Sequence, residues 1–282
     1  MATEKHTFTA YDGTGITFFP NSHRYQRDGE KTYLLSPSAI VGVLDKSRPL
    51  MIWNDGLIRN HIQEVVAEGE SYDKTSITQI VDQALNVRNV KLDEAKDVGS
   101  AIHDFAEHYA YLQVMGDALP THDEIDLYET NEQIKAGKKA FLDFVKEWEI
   151  EFVDVERFVY GYVIDDRGNK IYYSGKFDVK MKVKGRRVLG DWKSSKGVYT
   201  SQKYQLGGYD IAEQQAIDYF KRHGQDTTNL EYEAIVVVHI DKNTGIPTLH
   251  ELSQDEREKC QSAFKALTIV KAVEKELDKW QK

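Results

Sequence analysis

Cysteine is almost absent from this chain: Cys260 is the only one in 282 residues. No internal disulfide, zinc ribbon or all-cysteine iron–sulfur cluster can therefore form, and a reducing, cytoplasmic setting fits. The five prolines are scattered, so no proline-rich linker marks a boundary. No apolar run approaches the roughly 20 residues that a membrane helix needs. The opening stretch MATEKHTFTA lacks the basic start and apolar segment of a signal peptide. There is no P-loop, no Rossmann glycine fingerprint and no G-x-S-x-G elbow, which excludes an ATP-driven motor domain on this chain. Bulk positive charge is lacking too. Lys and Arg total 37 against 46 Asp and Glu, a net charge of −9. That argues against coating a polyanion through bulk charge, but not against gathering basic residues at one place.

What is present can build a sizeable core: 40% hydrophobic residues, with 16 Tyr, 11 Phe and 4 Trp. Residues 16–35 read as a small β element, with ITFF and KTYLL as apolar or β-branched runs and Asp28-Gly29 as a hairpin turn. Ser36 is placed as a helix N-cap with Pro37 in the first turn. From there to about residue 148 the pattern is helical. Leu50, Trp53, Leu57 and Ile58 share one face, as do Ile77, Ile80, Val81 and Leu85. Helices are expected over Asp97–Met115 and over 131–148.

The period changes after residue 150. FVDVERFVYGYVI, KIYYSGKFDVKMKV and RRVLGDWK alternate as strands and are separated by turns, so an antiparallel three-stranded meander is expected. A helix over about Ser201–His223, an apolar strand in LEYEAIVVVHI and a helix over Ser253 to about Trp280 follow. The fold class expected is α/β (α+β), a central mixed sheet flanked by helices behind a helical N-terminal half. The division expected is residues 1–95 for the hairpin and helical region and 96–282 for the core.

The chemistry is concentrated in YSGKFDVKMKVKGRRVLGDWKSSKGVYTSQKYQLGGY, residues 173–209. Asp178 lies mid-strand, and Asp191 and Lys193 end the next strand. A period of two puts Asp191 and Lys193 on one face, and the intervening turn folds Asp178 back towards Asp191. Two carboxylates so close repel at neutral pH unless a cation lies between them. Hard oxygen ligands suit Mg²⁺ or Mn²⁺, which can polarise a phosphodiester, and a neighbouring lysine can stabilise developing negative charge. An isolated Asp-x-Lys reads as a solvated ion pair; the neighbours Gly175, Ser194, Gln205 and Tyr209 give this one weight. Gln205 and Tyr209 stand four apart, on one helix face.

In this order, G-x-x-D, D-x-K-[ST] and Q-x-x-x-Y resemble the RecB-type branch of the PD-(D/E)XK nucleases, which includes phage exonucleases and mitochondrial genome-maintenance exonucleases. An upstream G-[ST]-x-x-H-x-x-x-E element is present as Gly99, Ser100, His103 and Glu107, and SPSAIVGVLDKSRPLMIW is similar to the phage members. The resemblance runs from about residue 23 to 220. Trp192 stands where a smaller or phenolic residue is more usual, and Ser194 replaces the commoner Thr.

The resemblance implies a restriction-endonuclease-like core and a Mg²⁺- or Mn²⁺-dependent deoxyribonuclease without an iron–sulfur cluster. It implies Asp178, Asp191, the backbone carbonyl of Trp192 and His103 as metal ligands, and Lys193 as the catalytic lysine. Gln205 and Tyr209 would position the strand or support Lys193. Glu107 would orient His103, and Glu156 is a further acidic contributor. DNA is the implied partner, with a single-strand annealing or recombination protein beside it, in the cytoplasm of a bacterial or phage-infected cell. Between Gly175 and Lys203, nine Lys or Arg stand against two Asp. Strand alternation puts Lys176, Lys180, Lys182 and Lys184 on the Asp178 face, either as a solvated face or as a phosphate track. Lys176, Lys180, Lys196 and Lys203 are the DNA contacts expected. An endonuclease or structure-specific nuclease with the same site, a non-catalytic DNA-binding module on a nuclease fold, and a regulatory protein-binding domain remain as other readings.

Overall fold

The computed structural model describes residues 5–45, 47–66, 70–195, 197–241 and 246–278. The chain is mixed α/β and divides into two compact units, 1–43 together with 102–282, and 44–101. A boundary at residue 95 would have put the N-terminal strands with the helices. They belong instead to the unit that holds the large sheet, because their aromatics pack on it: Phe8 stacks on Phe158 at 4.5 Å, and Phe18 and Tyr25 close the same cluster.

Unit 44–101 consists of α2 (Ser47–Val65) and residues 74–101 of α3 (Lys74–Met115). Leu50, Ile77, Val81 and Leu85, expected on apolar stripes, are exposed. Among the described residues no helix is long and apolar enough to cross a membrane.

In the larger unit, β1 (His6–Thr9), β2 (Gly15–Phe19) and β3 (Arg24–Arg27) form an antiparallel sheet. KTYLL is not a strand; it makes only isolated bridges, Gln26 with Tyr33 and Leu35 with Tyr173. α1 (Pro37–Val41) starts as expected, with the Ser36 hydroxyl accepting from Ala39 N at 3.3 Å. Then come α4 (His122–Tyr128), α5 (Glu132–Glu147), β4 (Ile150–Ile164), β5 (Lys170–Val183), β6 (Arg186–Lys193), α6 (Thr200–Arg222), β7 (Ala234–Ile240), β8 (Pro247–Glu251) and α7 (Gln254–Leu277). Asn131 caps α5, and Ser253 with Glu256 forms a capping box on α7, each cap contributing about 1 kcal/mol. Trp280, the expected end of the last helix, lies outside the described residues.

The five strands β4 to β8 lie in chain order. β4, β5 and β6 form the antiparallel meander, β6 and β7 are parallel through α6, and β8 pairs antiparallel with β7. β7 is buried along its whole length, as an apolar strand covered on both faces must be. Leu189 packs in the core with Leu206 of α6, while Trp192 packs edge-on to Phe141 of α5 at 5.5 Å. Residues of opposite parity on β6 thus meet helices on opposite faces, and Asp191 and Lys193 share the parity of Leu189.

The alternation expected for β5 does not hold throughout. Gly175 faces Tyr209 of α6, yet Lys180, of the other parity, pairs with Glu213 of the same helix. The Lys180 ammonium stands 5.7 Å from the Phe177 ring centroid. The neighbouring β4 is irregular here too, with a register shift between Phe152 and Asp154 and a left-handed Glu156 with φ 53°. An irregularity of this kind increases the local twist and re-aims side chains.

Candidate metal centre and its cavity

The site forms where the β5–β6 ladder opens. The last paired residues are Val179 and Gly190, so Asp178 and Asp191 face each other one step further on. In place of the next ladder bond, the Asp178 side chain accepts from Trp192 N at 2.8 Å. β6 continues beside β7, with Asp191 opposite Val237, which holds Asp191 in the sheet at 1% exposure. His103 arrives from the final turns of α3, its Nε2 3.5 Å from Asp178 Oδ2. Glu107, one turn on, lies 4.0 Å from the other ring nitrogen, where a partner that orients the imidazole belongs.

The Lys193 ammonium occupies the middle of this group. It touches Asp191 Oδ2, donates to the Trp192 carbonyl at 2.9 Å, and lies 3.9 Å from Asp178 Oδ2. Those are three of the oxygens expected as metal ligands, here gathered around one cation. Asp191 Oδ1 accepts no hydrogen bond among the described residues. A buried carboxylate oxygen without a donor costs free energy, and a hard divalent cation removes that cost. The donor set therefore fits such an ion. A second grouping also has metal-ligand spacing: His103, Asp104 and Glu107 bring ligand atoms within 4.8 Å of one another on one helical turn. His103 is common to both.

Burial pushes Asp191 up to about 7, and the neighbouring Asp178 charge adds to the rise. Burial also acts on Asp178, but the Lys193 ammonium and the His103 hydrogen bond outweigh it and hold this carboxyl well below its usual range. The hydrogen bond to Asp178 raises His103 against the effect of burial. Burial opposes the charge on Lys193, yet the two carboxylates keep the ammonium protonated beyond its ordinary range. Two carboxyls whose environments drive their pKa values apart are a mark of functional sites.

A cavity of about 310 Å³ opens beside this cluster, meeting it at Asp178 and His103 and not at Asp191, Trp192 or Lys193. His103, Glu107, Asp178, Gln205 and Tyr209 line it, as do Glu156 and Lys176. Gln205 Nε2 donates to the Tyr209 hydroxyl at 2.8 Å. Burial, reinforced by the two aspartates, keeps the Tyr209 phenol protonated and able to donate. The opposite wall, missed in the sequence, is His23, Tyr25, Ser36 and Ser38. The S-P-S stretch resembled the phage members, but only its N-cap role was legible. His23 carried no signal beyond its type.

The expected DNA contacts divide. Lys176 lines the cavity, ion-paired with Glu156. Lys180 does not: it is 4% exposed, bound to Glu213 and to the Leu230 carbonyl at 2.9 Å. The charged face expected of Lys176, Lys180, Lys182 and Lys184 is thus broken at Lys180, and of these four Lys176 alone lines the cavity. Lys182 pairs with Glu151, and Lys203 pairs with Glu256 at 3.1 Å, outside the cavity lining. Lys196 lies outside the described residues.

No family model matches the chain, and no curated protein matches it. Among solved structures it is similar to one described as "Crystal structure of SSO0001", at 10% identity and a TM-score of 0.27, over 79% of this chain and 86% of that one. A likeness at that level carries no argument.

Proposed function

We propose that this protein is a metal-dependent DNA exonuclease. The observation that carries the reading is the set of oxygens of Asp178, Asp191 and the Trp192 carbonyl around one lysine ammonium, with Asp178 and the neighbouring His103 also lining a cavity. Asp178, Asp191, the Trp192 carbonyl and the His103 imidazole would hold Mg²⁺ or Mn²⁺. When bound, the ion supplies Lewis-acid polarisation of a phosphodiester and acidifies water. Lys193 then has a free ammonium to stabilise negative charge developing on the phosphate. Glu107 orients His103, while Gln205 and Tyr209 offer neutral donors to the strand. On this reading the protein acts in recombination or DNA processing in the cytoplasm of a bacterial or phage-infected cell, beside a single-strand annealing or recombination protein.

Cleavage of linear against circular DNA with Mg²⁺, for the wild type, Asp191→Ala and Lys193→Ala, tests the proposal. The expected result is degradation of linear DNA only, lost in both variants. Equal cutting of circles points to an endonuclease with the same site. Equal behaviour of wild type and variants points to a binding module.

A further inference from the structure

Three acidic residues stand in one row across three neighbouring strands. The pairs Val155 with Val179 and Arg157 with Phe177 bracket Glu156 and Asp178, and Asp191 follows on the far side of Asp178. Glu156 does not pair in this row, because its backbone is left-handed at φ 53°. A non-glycine residue there is strained, and strain in mid-strand persists only where the surroundings enforce it. Glu156 lines both the 310 Å³ cavity and a second one of about 250 Å³, as do Asp104 and Glu107. There it grips the Lys176 ammonium. Lys176 is close enough to His23, on the opposite wall, to lower that imidazole's pKa after burial has done so.

We propose that Glu156 is a positioning residue, holding the Lys176 ammonium at the cavity wall as the contact for a phosphate of the bound nucleic-acid strand. This rests on the nuclease reading. The outer carboxylates of the row each carry a lysine: Lys193 on Asp191, at the reacting end, and Lys176 on Glu156, one strand beyond Asp178. A strand lying along the row would meet the first ammonium at the scissile phosphate and the second at a neighbouring one. Glu156 opposes phosphate approach by its charge but fixes where Lys176 makes contact, so its effect falls on alignment more than on affinity.

The test is steady-state cleavage of a single-stranded oligonucleotide by Glu156→Gln, Glu156→Gly and Lys176→Gln, with Tm and salt dependence measured alongside. Glu156→Gln is expected to lower kcat about tenfold while KM falls, because a negative charge leaves the wall. Lys176→Gln is expected to raise KM about tenfold and to flatten the log–log salt dependence of binding by roughly 0.7–0.9, the loss of one phosphate contact. Glu156→Gly, free of the left-handed strain, is expected to keep or raise Tm while losing the same kcat. A merely structural Glu156 would lower Tm and leave KM unmoved. Wild-type cleavage with kcat and KM of all three variants within about twofold overturns the positioning role alone. Absence of cleavage by the wild type overturns both this role and the nuclease reading.

Discussion

Two buried aspartates, both within 1% of full burial, live in opposite circumstances. Asp210, in α6, is saturated. It takes two bonds from Arg257 at 2.7 and 2.6 Å, one from Gln261 at 2.7 Å and one from the Tyr232 hydroxyl at 2.6 Å. Asp191, in β6, has one lysine contact, an unmet oxygen and a like charge beside it. A buried charge that binds its own fold together is fully partnered. A buried charge left short of partners retains the capacity to accept one more. Asp210 clamps α7 to α6; Asp191 has an oxygen that still accepts nothing among the described residues.

The largest effect that could break this contrast is on activity. Asp191→Ala should lower cleavage by about 10²–10³-fold, the order seen when a group stabilising transition-state charge is removed, with a small change in Tm, because the carboxylate it removes is already short of partners. Asp210→Ala should do the reverse. Removing one partner of a buried, hydrogen-bonded charge pair costs about 3–5 kcal/mol, read by urea unfolding, while activity per folded molecule persists. If Asp210→Ala abolished cleavage without loss of stability, the contrast would be wrong.

A third expectation concerns pH. Asp191 is raised in the folded state above its ordinary carboxylate value. Its contribution to stability is therefore present at acid pH and lost as pH rises through about 7. The metal must displace that proton, and a proton on His103, whose pKa is also raised. The affinity for Mn²⁺ should then be at least about tenfold weaker at pH 6 than at pH 8, with a smaller Mn²⁺-induced rise in Tm. A shift of equal size at both pH values would place the ion elsewhere. The smallest effect on DNA binding separates two lysines of one strand. Lys180→Met should lower stability by about 3–5 kcal/mol, because it strips the buried Glu213 of its partner, and leave the salt slope of DNA binding unchanged.

The meeting of Asp178, Asp191 and Lys193 was more legible in the sequence than the packing around them. Asp178, Asp191 and Lys193 were legible because a turn and a two-residue period fix their meeting, and α6, β7 and α7 because their apolar patterns are long. β8 was missed because PTLHE is short, opens with proline and has little apolar content. β1 was missed for the same shortness, and α4 because seven residues hold too few apolar positions to show a period. Lys180 read as part of a charged face because its partner, Glu213, is 33 residues away and on another element. Nothing in the one-dimensional pattern of β4 announces that Glu156 turns left-handed, since the residue that needs a glycine-like backbone there is not a glycine.

The most direct test of the central claim is an anomalous-scattering map from crystals soaked in Mn²⁺. The account predicts one peak in contact with Asp178, Asp191 and the Trp192 carbonyl, with the Lys193 ammonium displaced from those oxygens. A peak held only by His103, Asp104 and Glu107, or none at either place, would contradict it.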